Sequence, residues 1–172
     1  PVEQEAQIRL MEKLKNHHGK NSMLVLRPAE AKETTVAWKM AMENTATPTA
    51  LIFSRQNITD LPEGNDYSLA ERGAYIVAGS DENPDVVMVA SGSEVSTLIS
   101  GADLLRKDGV RCRIVSVPSE GLFRSQPKEY QESVVPAGAK VFGMTAGLPV
   151  NLQGFLVGAA PESKIWGLES FG

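Results

Sequence analysis

Between Asp85 and Val117 the chain spells out one complete strand–helix–strand unit, and that unit leaves few folds open. Asp85-Val86-Val87-Met88-Val89-Ala90 is an apolar run of strand length, closed by the tight turn Ser91-Gly92-Ser93. Val95, Leu98, Ile99, Ala102 and Leu105 follow at helical spacing, with Asp103, Arg106 and Lys107 turned away. Gly109 sits where a left-handed residue closes a helix. Val110, Cys112 and Ile114 then alternate with Arg111 and Arg113, and Val115 and Val117 complete a second strand. Strands joined through such a helix lie parallel, with a right-handed crossover. Ser91 and Glu94 have the S-x-x-E spacing of a capping box, which satisfies two orphan helix donors reciprocally. An anion on the N–H groups of the same turn is the rival reading, but Glu94 already occupies that field.

The same alternation extends in both directions. Met23–Leu26 reads as a buried strand closed by Arg27-Pro28, and a helix is expected from about Glu30 to Glu43. Glu30 and Glu33 fall in its first turn, where the helix dipole favours them, and Val36, Ala37, Met40 and Ala41 form one apolar face. Thr49–Phe53 is the next strand. Asn57–Arg72, centred on Leu61-Pro62-Glu63-Gly64-Asn65-Asp66, reads as a linker between two domains, too polar and too broken for a core element. Beyond it come a strand at Ala74–Ala78, a short helix at Lys128–Val135, and strands at Lys140–Met144 and Lys164–Leu168. The fold class is therefore α/β, with parallel sheets wrapped by helices in three-layer domains.

Composition narrows the function. With 172 residues and 42% apolar content the chain can fill one ordinary core or two small ones. Its net charge of −4 and scattered Lys and Arg argue against a nucleic-acid partner. Apolar runs are strand-sized, far short of the roughly 20 residues a membrane span needs, and no signal peptide is visible. A single cysteine, Cys112, precludes an internal disulfide and points to a reducing, cytoplasmic setting, where it serves as a small buried hydrophobe. The chain starts at Pro1 without methionine and stops just after a strand-like run, so a piece of a longer polypeptide is expected.

One stretch carries chemistry. Ser54-Arg55-Gln56-Asn57 follows the Thr49–Phe53 run directly, which puts Arg55 at the mouth of a parallel sheet, where open α/β sheets receive ligands. A guanidinium can donate two parallel N–H bonds to a phosphate; the plain alternative is an ion pair with a surface carboxylate. His17 and His18 lie in a loop without a partner at zinc-ligand spacing and should point apart as solvated residues. No Ser-His-Asp or Cys-His arrangement, Walker loop or G-x-G-x-x-G is present. The residues by themselves thus stop at a two-domain α/β chain with one phosphate-binding arginine.

Read together, several stretches resemble the transketolase family. Leu26-Arg27-Pro28-Ala29-Glu30-Ala31-Lys32-Glu33-Thr34 resembles L-R-P-A-D-x-x-E-T, and Ser54–Asn57 matches S-R-Q-N after its strand. Gly73-Ala74-Tyr75 followed by Ala90-Ser91-Gly92-Ser93-Glu94-Val95 resembles G-A-Y and A-T/S-G-S-E-V, and Arg113–Pro118, Leu122-Phe123 and Tyr130 fit the next strand and helix. Gly167-Leu168-Glu169-Ser170-Phe171-Gly172 is similar to G-(I/L/V)-D-x-F-G. Thr145 stands where many members carry glutamate, and Glu169 replaces the usual aspartate.

The resemblance implies the end of a pyrimidine-binding domain over residues 1–62, a linker over 63–72, and a C-terminal domain over 73–172 that lacks its final portion. It implies transfer of a two-carbon ketol unit from a ketose phosphate to an aldose phosphate, with thiamine diphosphate and Mg²⁺ or Ca²⁺, in a homodimer. Of the family's working residues only the sugar-phosphate arginine maps here, onto Arg55. Catalytic, cofactor and metal residues would all lie outside this chain, which is expected to be inactive alone. A sister thiamine diphosphate enzyme, such as a deoxyxylulose-phosphate synthase or an E1-type β chain, is the nearest alternative, against which S-R-Q-N speaks. A non-catalytic dimerisation or regulatory module is the other.

Overall fold

The run Val86–Ala90 is apolar at every position, as a strand covered on both faces must be. It lies at the centre of the larger sheet. The computed structural model describes residues 2–79 and 83–170. In chain order the elements are α1 (Val2–Lys13), β1 (Leu24–Leu26), α2 (Ala31–Glu43), β2 (Thr49–Leu51), a 3₁₀ turn (Tyr67–Arg72), β3 (Tyr75–Ala78), β4 (Val86–Ala90), α3 (Glu94–Lys107) and β5 (Cys112–Ser116). Then come α4 (Glu120–Arg124), α5 (Lys128–Val134), β6 (Val141–Met144), two 3₁₀ turns (Pro149–Asn151 and Gln153–Leu156) and β7 (Lys164–Trp166).

Two sheets result. β1 and β2 pair in parallel, Val25 opposite Ala50. The other five strands are ordered β3-β5-β4-β6-β7, parallel except for β3. β3 runs antiparallel to β5, so the parallel-sheet α/β fold is as expected, with one antiparallel edge strand. The reason is geometric: a parallel crossover needs a dozen or more residues, and residues 79–85 are too few to make one.

Alternation along the strands divides the core in two. Tyr75, Val77, Met88, Ala90, Cys112 and Ile114 pack with Val95, Leu98 and Ala102 of α3. Val87, Val89, Val115, Val141 and Ile165 pack with Phe123, Val134, Leu152 and Phe155. Cys112 is buried as expected, and burial raises its thiol pKa, keeping it protonated. Gly109, at φ +81°, follows the end of α3 as expected.

The segment Asn57–Arg72, expected to be too polar and too broken for a core element, contributes to the core. Leu61 and Ala70 are buried in the first cluster, and Tyr67 and Leu69 pack against it. Asp66 caps the 3₁₀ turn by accepting from the Ser68 N–H at 3.0 Å. A tight turn with few apolar residues can still bury them when they share one face, and polarity averaged over the stretch hides this.

In urea unfolding, Leu98→Ala should lower stability by about 2–5 kcal/mol, because Leu98 is buried between α3 and the sheet and its loss leaves a cavity. An unchanged midpoint would contradict this packing.

Candidate functional site: a charged cleft at the strand ends

Parallel strands point their carboxyl ends the same way, and four of them meet around one cleft. Arg27 follows β1, Ile52–Gln56 follow β2, Ser93 and Glu94 follow β4, and Ala146 and Gly147 follow β6. Gln4, Glu5 and Ile8 of α1 close the rim around about 330 Å³. Arg55 lies past the end of β2, not on it, and its side chain is exposed. Among the described residues it has no hydrogen-bond or ion-pair partner.

Arg27 is the opposite case. It is 7% exposed, and its Nη1 donates to the Ser91 carbonyl and to Glu94 Oε2, the latter at 2.5 Å. Its Nε lies 3.7 Å from Glu5, whose other oxygen accepts from Arg9 at 2.9 Å. Burial disfavours the charged guanidinium, but the hydrogen bond to Glu94 and the charges of Glu5 and Glu94 outweigh it and raise its pKa further. Gly92 makes the approach possible: at φ +66°, a Cβ there would sit 2.6 Å from the Arg27 Cζ.

This overturns the expected capping box. Ser93, not Ser91, precedes α3, and it makes no side-chain cap. The Ser91 hydroxyl accepts from Arg9 at 3.2 Å and donates to the Arg27 carbonyl at 3.3 Å. Glu94 is held instead by Arg27 and by the Ser93 hydroxyl at 2.8 Å. A buried guanidinium is a stronger partner for the carboxylate than a terminal N–H.

Two more buried carboxylates join the first part of the chain to the second. Glu12 on α1 accepts from the Ser119 hydroxyl at 2.7 Å, the Gly121 N–H at 3.2 Å and the Val25 N–H at 3.4 Å. Gly121 permits this, since a Cβ there would fall 2.3 Å from the Glu12 carboxyl carbon. Glu33 on α2 accepts from the Ala29 N–H at 2.7 Å, the Tyr75 hydroxyl at 2.8 Å and the Ser116 hydroxyl at 2.6 Å. Burial raises both carboxyl pKa values against the lowering effect of these donors. Burial, with the charge of Glu33, raises the Tyr75 phenol as well.

Sequence reasoning placed Arg55 at this cleft but missed Arg27, Glu5 and Glu94, which line it with Arg55. The available signal was Arg27 itself, which follows β1 much as Arg55 follows β2. His17 and His18 are exposed as expected, but their rings do not point apart; they lie 3.8 Å from each other. Asn16 causes this by accepting from the His18 and Lys20 N–H groups, which tightens the turn. Thr145 is buried and accepts from the Gly147 N–H. Pro1, Phe171 and Gly172, which take part in the resemblance, lie outside the described residues.

The architecture is that of an α/β protein with a charged cleft at the carboxyl ends of its parallel strands. The family model of the transketolase-like TK C-terminal domain matches residues 73–172. The chain is 40% identical over 154 residues to the transketolase of Staphylococcus aureus (strain MW2), covering 88% of this chain and 23% of that protein. Its fold superposes on a transketolase from Leishmania mexicana with a TM-score of 0.82 at 34% identity, over all of this chain and 23% of that one. A Pichia stipitis transketolase in complex with sedoheptulose 7-phosphate gives a TM-score of 0.81 at 31% identity, with the same coverage. The chain belongs to the transketolase family, and it spans less than a quarter of the curated relative's length.

Between the ordinary carboxyl pKa of 4.5 and the raised value of Glu33, the native state holds more protons than the unfolded chain, so stability falls as pH rises through that window. Urea midpoints followed from about pH 4 to about pH 8 should show this fall, and Glu33→Gln should flatten it. A slope unaltered by the substitution would place the titration elsewhere.

Proposed function

We propose that this chain is part of a transketolase that moves a two-carbon ketol unit from a ketose phosphate to an aldose phosphate, and that Arg55 holds the phosphate end of the sugar. The observation that carries the reading is the contrast between the arginines: Arg9 and Arg27 are buried against Glu5 and Glu94, while Arg55 faces the cleft without a partner among the described residues. Its guanidinium can grip two phosphate oxygens at once, and Gln56 and Ser54 beside it offer further polar contacts. Binding energy gathered at this remote end aligns the reacting carbons and supports chemistry elsewhere on the substrate. The sugar phosphate present in the Pichia stipitis complex is of the class proposed here.

The carbon–carbon chemistry belongs to thiamine diphosphate with Mg²⁺ or Ca²⁺. Among the described residues there is no group of three or more His, Cys, Asp or Glu side chains that could hold a metal ion. Segments of the full-length parent outside this chain would supply that site. The parent is proposed as a homodimer acting in a reducing, cytoplasmic setting, and no helix among the described residues is long and apolar enough to cross a membrane. Residues 1–62 would complete the pyrimidine-binding domain, 63–72 would connect it, and 73–172 would form the C-terminal domain. The chain by itself would be inactive.

In the full-length parent, Arg55→Ala should raise KM for phosphorylated sugars far more than for unphosphorylated acceptors, by an amount equivalent to roughly 2–4 kcal/mol for one charge-assisted bidentate contact. Equal effects on both substrate types would remove Arg55 from the phosphate site.

A further inference from the structure

Two guanidinium groups line the cleft, yet only Arg55 is free to bind an anion. Arg27 presents the same planar fork at the end of the neighbouring parallel strand, and Glu94 and Glu5 occupy it. The Ser93 hydroxyl holds Glu94 in that pose, and the Gly92 turn lets the guanidinium lie flat against the backbone. Both carboxylates line the same cleft as Arg55. A ligand arriving there meets one unpaired cation with two anionic groups behind it.

We infer that Glu94, with Glu5 behind it, is a specificity determinant that limits how much positive charge this cleft offers to the anionic end of a sugar. The inference rests on the reading of Arg55 as the phosphate-binding residue. Without the Glu94 charge, Arg27 would add its field to that of Arg55 and the cleft would attract phosphate more strongly. With it, the cleft accepts a single terminal phosphate on an otherwise uncharged polyhydroxy chain. A second anionic group next to that phosphate is repelled by the carboxylates. Weak phosphate attraction also favours release of a phosphorylated product, since uniform ground-state binding does not raise turnover.

The test uses the full-length parent and compares KM for a phosphorylated aldose acceptor with KM for the same aldose without phosphate. Glu94→Gln keeps the shape and a hydrogen-bond acceptor for Arg27 but removes the charge. The ratio of phosphorylated to unphosphorylated KM should fall about three- to tenfold, as expected for one unit charge removed near a bound dianion at intermediate dielectric. The KM of the phosphorylated substrate should also rise more steeply with salt. Glu94→Asp retains the charge and should hold the ratio within about twofold of the parent. If Glu94→Gln does not fold, Glu5→Gln relieves the same neutralisation from α1 and should move the ratio in the same direction. A ratio unchanged in the Gln variant, or moved equally by Gln and Asp, would reduce Glu94 to packing and overturn the inference. If Arg55→Ala raises the ratio while the Gln variant fails to lower it, only this inference falls. If Arg55→Ala leaves the ratio unchanged, the phosphate reading itself falls.

Discussion

A carboxylate withdrawn from water must be met by donors, and here every donating hydroxyl comes from residue 75 or beyond. Glu12 and Glu33 are 2% and 1% exposed, and hydroxyls of Ser119, Tyr75 and Ser116 turn toward them across the junction. Removing one partner of such a buried group leaves an unmet charge, at a cost of several kcal/mol. Arg27 adds a third join, with its own N–H donating to the Pro118 carbonyl at 2.8 Å while its side chain reaches Ser91 and Glu94. These contacts hold α1, β1 and α2 against the five-stranded sheet. Only a few apolar residues from the first 62, Ala29 and Leu61 among them, enter its core clusters. The junction is therefore specified mainly by polar geometry, which fixes direction and register where apolar burial would not.

That junction also builds the cleft. Once the two-stranded sheet is held beside the larger one, the ends of β1 and β2 face the turns after β4 and β6. Arg27 is absorbed by the joint, and Arg55, one strand over, stays available. The two arginines thus differ in their partners: Arg27 is paired with Glu94 and Glu5, while Arg55 lines the cleft.

The larger sheet was legible because its signals are local. β4, α3 and β5 follow from a run of apolar residues, a helical stripe and a glycine stop, and all three stand where that pattern puts them. α1 could not be read this way. Its buried positions are Ala6, Arg9 and Glu12, while Leu10 and Met11 are exposed, which inverts the usual amphipathic pattern. The pattern assumes that charges seek water, and here they seek each other. The same assumption left Leu61 and Ala70, within the polar stretch Asn57–Arg72, out of the expected core. The placement of Arg55 at the cleft was legible because residues just past a parallel strand lie at the carboxyl end of the sheet. Arg27 was hidden because its hydrogen-bond partners Ser91 and Glu94 lie more than sixty residues away in sequence.

Glu12, Glu33 and Arg27 weld the first part of the chain to the C-terminal domain. Native-state hydrogen exchange tests this weld most directly. The amides of Val25, Ala29 and Gly121 donate to the two carboxylates. They should exchange with the same opening free energy as those of Val89 and Ile114 in the sheet core, as members of one cooperative unit. If Val25 and Ala29 open at markedly lower free energy while Val89 and Ile114 stay protected, the first part of the chain comes away on its own, and the weld is contradicted.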